Sequence, residues 1–382
     1  MSIRVVTAPS VLAWALEVSS AEPEKVRSKF AVEKWIEGAT QPTLKQLQSF
    51  ATTTGVPFGY LLLTEPPEWT LPIPDFREGF ATAPMPSADL IAVLGLAERR
   101  QAWYREYALS QGTTALGFVG SAADATPVEA AAQIRATLEI EVRDRTGGWS
   151  DTRKLMLRNF EAVGGLTVAT SMVGNNTHRL LNQDEFRGFA LVDNIAPLVF
   201  VNTHQTMNGQ IFTIAHEFAH VWRGSSGIGN EEPRSAGQSD VERWCNAVAS
   251  EVLVPADELR VRYEPLANLG TTVVLDRLAA DFHCGTLVVL QALNRARLRQ
   301  FSDFDEAYDA ELRRLAQLQE GRQSPGGGDH YNNQPFRVGE RLSRALVADT
   351  LEGRTSFTEA LDLMSMKSLS TFDEYVRRLG AA

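Results

Sequence analysis

Cysteine is nearly absent from this chain: Cys245 and Cys284 are the only two in 382 residues. Two such residues build no disulfide framework, so a reducing, cytoplasmic setting is expected. No apolar run approaches the ~20 residues of a membrane span. Residues 1–9 show neither a long apolar core nor a cleavage signature, so no membrane role is expected. Basic charge is short as well. With 37 Lys and Arg against 47 Asp and Glu, the formal net charge is −10. That balance excludes a surface built throughout for nucleic acid, though not a small DNA-contacting module. Internal repeats and low-complexity tracts are missing. The remaining composition, 44% hydrophobic and 22% charged, suits a globular chain long enough for two or three domains.

Against this plain background one motif states a chemistry. His216, Glu217 and His220 form a His-Glu-x-x-His run inside the apolar stretch from Ile211 to Trp222. Two histidines four apart on a helix project from one face, a turn apart, and can grip one metal ion. The glutamate after the first histidine is then placed to act on a water at that metal. The other faces of the helix are apolar, as a buried active-site helix requires.

A catalytic zinc takes three protein ligands and leaves a fourth position to water, so a third donor must lie elsewhere. The next donor-rich stretch holds Glu231, Glu232, Asp240 and Glu242. Residues 241–255 read as helical, with Glu242, Cys245, Asn246 and Ala249 on one small, polar stripe. Asp240 is the expected N-cap, and Glu231 and Glu232 fall in a Gly- and Ser-rich loop. Glu242 is therefore the preferred ligand. Cys245 is its rival donor, and Asn246 is a candidate to orient Glu242 or simply to pack.

The run from Phe212 to His220, followed by Glu242, Asn246, Leu253 and Pro255, resembles the ImmA/IrrE family of metallopeptidases. The stretches Arg187–Leu191 and Leu198–Asn202 lie where that family places its upstream strands. The resemblance implies zinc held by His216, His220 and Glu242, with Glu217 as general base. It further implies a zincin-like core, and a regulatory enzyme that cuts a specific repressor or antitoxin-like protein in a stress or prophage/defence response.

The fold expected is α+β and mostly helical. Residues 1–75 read as a small all-α unit whose Trp35, Glu37, Gly38, Pro42, Thr43, Gln46 and Leu47 are similar to the end of an XRE-type helix-turn-helix. Residues 76–265 hold a helical lead-in and the peptidase core. Its small three-stranded sheet is expected at 165–170, 188–192 and 198–202, with 223–239 as a polar loop. Residues 266–382 are expected to be helical.

Residues 1–64 carry six Lys/Arg and five acids, a net of only +1. Lys25, Arg27, Lys29 and Lys34 form one local basic edge, and DNA contact, protein contact or homodimerisation are all open for this unit. The rival to a protease is accordingly a DNA-binding regulator or toxin–antitoxin component whose zinc domain senses or stays latent. His178, His204, His283 and His330 read as loop or surface residues. One of them, or Tyr331, could serve as an oxyanion donor.

Overall fold

Residues 3–75, 85–229, 239–320 and 337–380 are described by the computed structural model of the chain. They are mostly helical with one small sheet, consistent with an α+β reading. The chain divides into two units. Among the described residues no helix is long and apolar enough to cross a membrane.

The first unit comprises residues 3–74, 85–96 and 172–181. Helices α1 (Pro9–Glu17), α2 (Pro23–Lys29), α3 (Val32–Ile36) and α4 (Leu44–Thr54) fill its amino-terminal part. Helix α4 starts with a capping box: Gln46 N–H donates to Thr43 Oγ1 at 3.2 Å and Thr43 N–H to Gln46 Oε1 at 2.9 Å. These bonds satisfy amide groups that a helix start leaves open. The core gathers Leu12, Trp35, Leu47 and Phe50. Phe50 receives Phe30 and Trp35 edge-on, with ring centroids 5.6 and 5.9 Å away, a favoured aromatic arrangement. Residues 172–181 join this unit through Arg179, whose Nε donates to Asp89 Oδ1 at 2.7 Å.

The second unit carries the sheet. Helix α5 (Ala88–Ser110) gives it residues 97–110, followed by α6 (Pro127–Leu138) and α7 (Trp149–Ala162). Strands β1 (Leu166–Thr170), β2 (Gly188–Leu191) and β3 (Leu198–Asn202) are buried along their whole length. That burial fits the apolar runs at 188–191 and 198–201, whereas β1 also buries Thr167 and Thr170. Helix α8 (Met207–Arg223) packs on β2 and β3 and against α9 (Asp240–Leu253). Beyond come α10 (Ala256–Tyr263), α11 (Thr271–Phe282), α12 (Thr286–Arg295) and α13 (Phe304–Glu320), then three helices at Glu340–Leu351, Phe357–Leu363 and Leu369–Arg378.

The expected three-stranded sheet has a fourth strand, β4 (Gly227–Gly229), and the order is β1-β3-β2-β4. β1 runs parallel to β3, whereas β2 is antiparallel to both β3 and β4. Gly-Ile-Gly has no alternation and little intrinsic strand preference. Its pairing comes from the tertiary neighbour β2 and from the burial of Ile228. A reading of the polar surroundings as loop therefore missed it. The expected N-cap also moves by one residue: Ser239 Oγ accepts from Glu242 N–H at 3.3 Å, and Asp240 is the first helical residue.

Two arginines fasten the far end of α9. Arg145 donates to the carbonyls of Val252 and Leu253, both at 2.6 Å, and to that of Phe282 at 3.0 Å. Arg135 donates to the carbonyl of Glu251 at 2.7 Å. Helix-terminal carbonyls lack partners within the helix, and here they meet buried cations. Burial lowers the Arg145 pKa to about 10, which still leaves it charged at neutral pH.

Glu161, at the end of α7, generates a stability test. Its carboxyl accepts from Thr167 Oγ1 at 2.6 Å and Arg341 N–H at 3.2 Å. Burial nonetheless pushes it up to about 6 from 4.5. Between those two values the folded chain binds more protons than the unfolded one, so stability falls as pH rises through the window. The loss is up to about 2 kcal/mol, from roughly 1.4 kcal/mol per pH unit. Chemical denaturation from pH 4.5 to 6.5 should show Glu161→Gln losing this part of the slope. An unchanged slope in the variant would place the effect elsewhere.

Candidate metal centre

Helix α8 is built to carry its histidines inward. Thr206 caps it by accepting from Gly209 N–H at 3.2 Å, and every residue from Gln210 to Trp222 is buried. Phe218 stacks on Phe160 with ring centroids 4.8 Å apart, fixing one face against α7. Gly224 ends the helix at φ +82°, a conformation that disfavours a Cβ. The chain then doubles back, and Ser225 O lies 2.9 Å from His220 Nδ1.

His216 and His220 meet as their spacing predicts, with Nε2 atoms 3.1 Å apart. His216 Nδ1 lies 3.0 Å from Asn246 Oδ1. Both Nδ1 atoms thus face oxygen acceptors, which sets the Nδ1–H tautomer in the neutral rings and leaves both Nε2 lone pairs bare. Glu242 enters from the first turn of α9, with Oε2 at 3.0 Å from His216 Nε2 and Oε1 at 3.3 Å from His220 Nε2. In that tautomer neither contact contains a proton, so neither is a hydrogen bond, and both Glu242 oxygens are buried without a donor.

Three electron-rich groups facing one another out of water repel unless a cation lies among them. Their ligand atoms all fall within 4.8 Å of one another, and the three side chains can hold a metal ion. The separations suit a tetrahedral ion, since bonds of ~2.0–2.1 Å space ligand atoms by roughly 3.3 Å. An imidazole, imidazole, carboxylate set suits borderline metals and not calcium or magnesium.

Glu217 is the fourth buried group, 3% exposed, with Oε2 lacking any hydrogen-bond partner. Burial pushes its carboxyl up to about 8, against the pull of His220 and with the repulsion of Glu242. Glu242 is buried as well, so its ionised form, the form that ligates a metal, needs a cation against the two Nε2 atoms. The two carboxyls differ in their surroundings: Glu242 lies among the donor atoms, whereas Glu217 Oε2 meets no partner.

Residues 161–294 match the family model for the IrrE N-terminal-like domain, a peptidase family. The matched span runs from the end of α7 through α12 and contains all four buried groups. It supports a metallopeptidase of the ImmA/IrrE type. Residues 338–378, which include the last three helices, match a domain of unknown function (DUF8813). No curated protein and no solved structure matches the chain.

The remaining sequence candidates are not part of the three-donor cluster. Cys245 sits beside His220, but burial pushes its thiol up, so it stays protonated. Asn246 reaches His216 and not Glu242, a correction to its expected role. His178 and His204 are exposed, and His283 is half-buried with Nδ1 at 2.8 Å from Thr152 Oγ1. Glu231, Glu232, His330 and Tyr331 lie outside the described residues. In the first unit Lys25 pairs with Glu22 at 3.0 Å and Arg27 with Glu33 at 2.8 Å. Lys29 donates to Thr53 at 2.9 Å, and Lys34 is exposed. Sequence reasoning missed the Ser225 carbonyl, because a backbone group carries no residue signal.

Chain purified without chelators should contain close to one divalent metal by elemental analysis, and His216→Ala or His220→Ala should lose it. Glu242→Gln should weaken retention far more than Cys245→Ser. The reverse ranking would make Cys245 the third ligand.

Proposed function

We propose that this chain is a zinc-dependent endopeptidase of regulatory type, with zinc held by His216, His220 and Glu242 and Glu217 as general base. The observation that carries the reading is the convergence of three donor groups beside a buried carboxylate oxygen that has no partner of its own. Zinc supplies Lewis acidity there, making water acidic near neutral pH and polarising a carbonyl. Glu217 Oε2 accepts the proton of the attacking water and returns it to the departing amine, so one group serves first as base and then as acid. Its burial keeps bulk water from competing for that proton. Asn246 and Ser225 O hold the imidazoles in one tautomer, so the Nε2 atoms stay free of protons.

Regulatory cleavage is supported by how closed the centre is. His216, Glu217, His220 and Glu242 are each no more than 3% exposed, which suits a few shaped substrates better than general digestion. With the resemblance to ImmA/IrrE enzymes, a repressor or antitoxin-like protein is the proposed substrate class and the cytoplasm the proposed setting. We assign residues 1–75, read as an XRE-like unit, to docking that partner. The internal pairing of Lys25 and Arg27 with Glu22 and Glu33 leaves little unmatched charge for a DNA backbone.

Glu217→Gln keeps the size of the side chain and removes the base. Zinc content should persist while peptide hydrolysis falls at least ~10²-fold, the usual cost of losing a general base. Turnover at the wild-type rate would put the base elsewhere. For the amino-terminal unit, gel-shift titration of the full chain on its own promoter should give weak binding that fades with salt. A nanomolar, sequence-specific complex at physiological salt, abolished by replacing Lys25, Arg27, Lys29 and Lys34 with Gln, would make the chain a DNA regulator.

A further inference from the structure

We infer that Gly188 is a positioning residue for Glu217: the missing side chain at this point of β2 forms the seat in which the carboxyl lies. The inference rests on the assignment of Glu217 as general base. Gly188 is buried in the middle of the sheet, opposite Val201 on β3 and Gly229 on β4. A Cβ built on it would stand 2.6 Å from Glu217 Oε1, 2.5 Å from Thr213 Cγ2 and 2.9 Å from the carbonyl oxygen of Phe200. All three distances are below those that real Cβ atoms show, and two of the three neighbours cannot easily move. Phe200 O is backbone of the adjacent strand. Thr213 is fastened by its hydroxyl, which donates to Gln205 Oε1 at 3.1 Å.

Helical geometry explains why the seat must be in the sheet. Thr213 and Glu217 are four apart and share the face of α8 that looks onto β2, whereas His216 and His220 share the face toward α9. No hydrogen bond holds Glu217 Oε2. What fixes Glu217 is shape: Oε1 lies in the hollow over Gly188, and Oε2 is left as the atom with a lone pair for a proton. Any larger residue at 188 pushes the carboxyl outward while leaving the three metal-binding side chains where they are.

The test compares wild type, Gly188→Ala, Gly188→Ala/Thr213→Ser and Glu217→Gln as full-length chains. Each is measured by zinc content, melting temperature, crystallographic position of residue 217 and turnover of internally quenched peptides. Gly188→Ala should keep its zinc, show the Glu217 carboxyl displaced by about 1 Å, and lose about 10²-fold in kcat with KM little changed, the scale expected for such a misplacement. Thr213→Ser removes the closest methyl, so the double variant should regain melting temperature without regaining kcat. A pure packing role predicts that both recover together. A Gly188→Ala crystal structure with the carboxyl in place, or kcat within twofold of wild type, overturns the inference. If Glu217→Gln stays active or wild type holds no zinc, it is the enzymatic reading that fails, and the position of the carboxyl in the Gly188→Ala crystal still decides whether residue 188 seats it.

Discussion

Two imidazole nitrogens and a carboxylate meet at 3.0–3.3 Å in a place almost sealed from water. Without a cation that meeting is unfavourable, because desolvated lone pairs and negative charge repel. The surrounding fold therefore has to hold the donors together before any metal arrives, and much of its construction serves that end. Helix α8 is buried on all sides and cannot rotate. Helix α9 is secured at both ends, by the Ser239 hydroxyl at its start and by Arg135 and Arg145 at its finish. Glu242 in the first turn also faces the positive end of its own helix, which offsets part of the cost of keeping it ionised.

The clamps at the end of α9 show how a distant residue can matter to the centre. Arg145 spans carbonyls from α9 and α11 and sits where burial lowers its pKa without discharging it. Removing one partner of such a buried ionic contact leaves orphan carbonyls at the end of the helix that presents Glu242 and Asn246. The centre thus depends on packing that carries no catalytic group. This is consistent with the matched peptidase span extending to residue 294, well past the last proposed ligand at 242.

The parts legible in the sequence were those with a strong period or a specific chemistry. The i, i+4 histidines, the stripe carrying Glu242, and the apolar strands at 166–170, 188–191 and 198–202 all appear where residue patterns placed them. The misses share another cause. β4 is three residues long and exists only because β2 offers it an edge. The cap moved from Asp240 to Ser239 because both can cap, and one residue of register decides between them. The role of Asn246 depends on the crossing of α8 and α9, which no local pattern encodes. Residues 172–181 leave the peptidase sequence to join the first unit through Arg179 and Asp89, an ion pair whose partners lie far apart in the chain.

The His-Glu-x-x-His spacing has a structural consequence of its own. Consecutive helical residues point about 100° apart, so a base placed directly after a ligand must face a different neighbour than the ligands do. In this chain the two directions meet two kinds of wall. Toward α9 the wall is polar and supplies Glu242 and Asn246. Toward the sheet it is smooth, with Gly188, Ala190, Val199 and Val201 pairing across β2 and β3. A polar sheet face there would offer the Glu217 carboxyl hydrogen bonds, which stabilise its ionised form and weaken it as a proton acceptor. The apolar wall does the opposite, raising the carboxyl while leaving Oε2 unengaged. One helix can thus carry both metal donors and a strong base because its two neighbours differ in polarity.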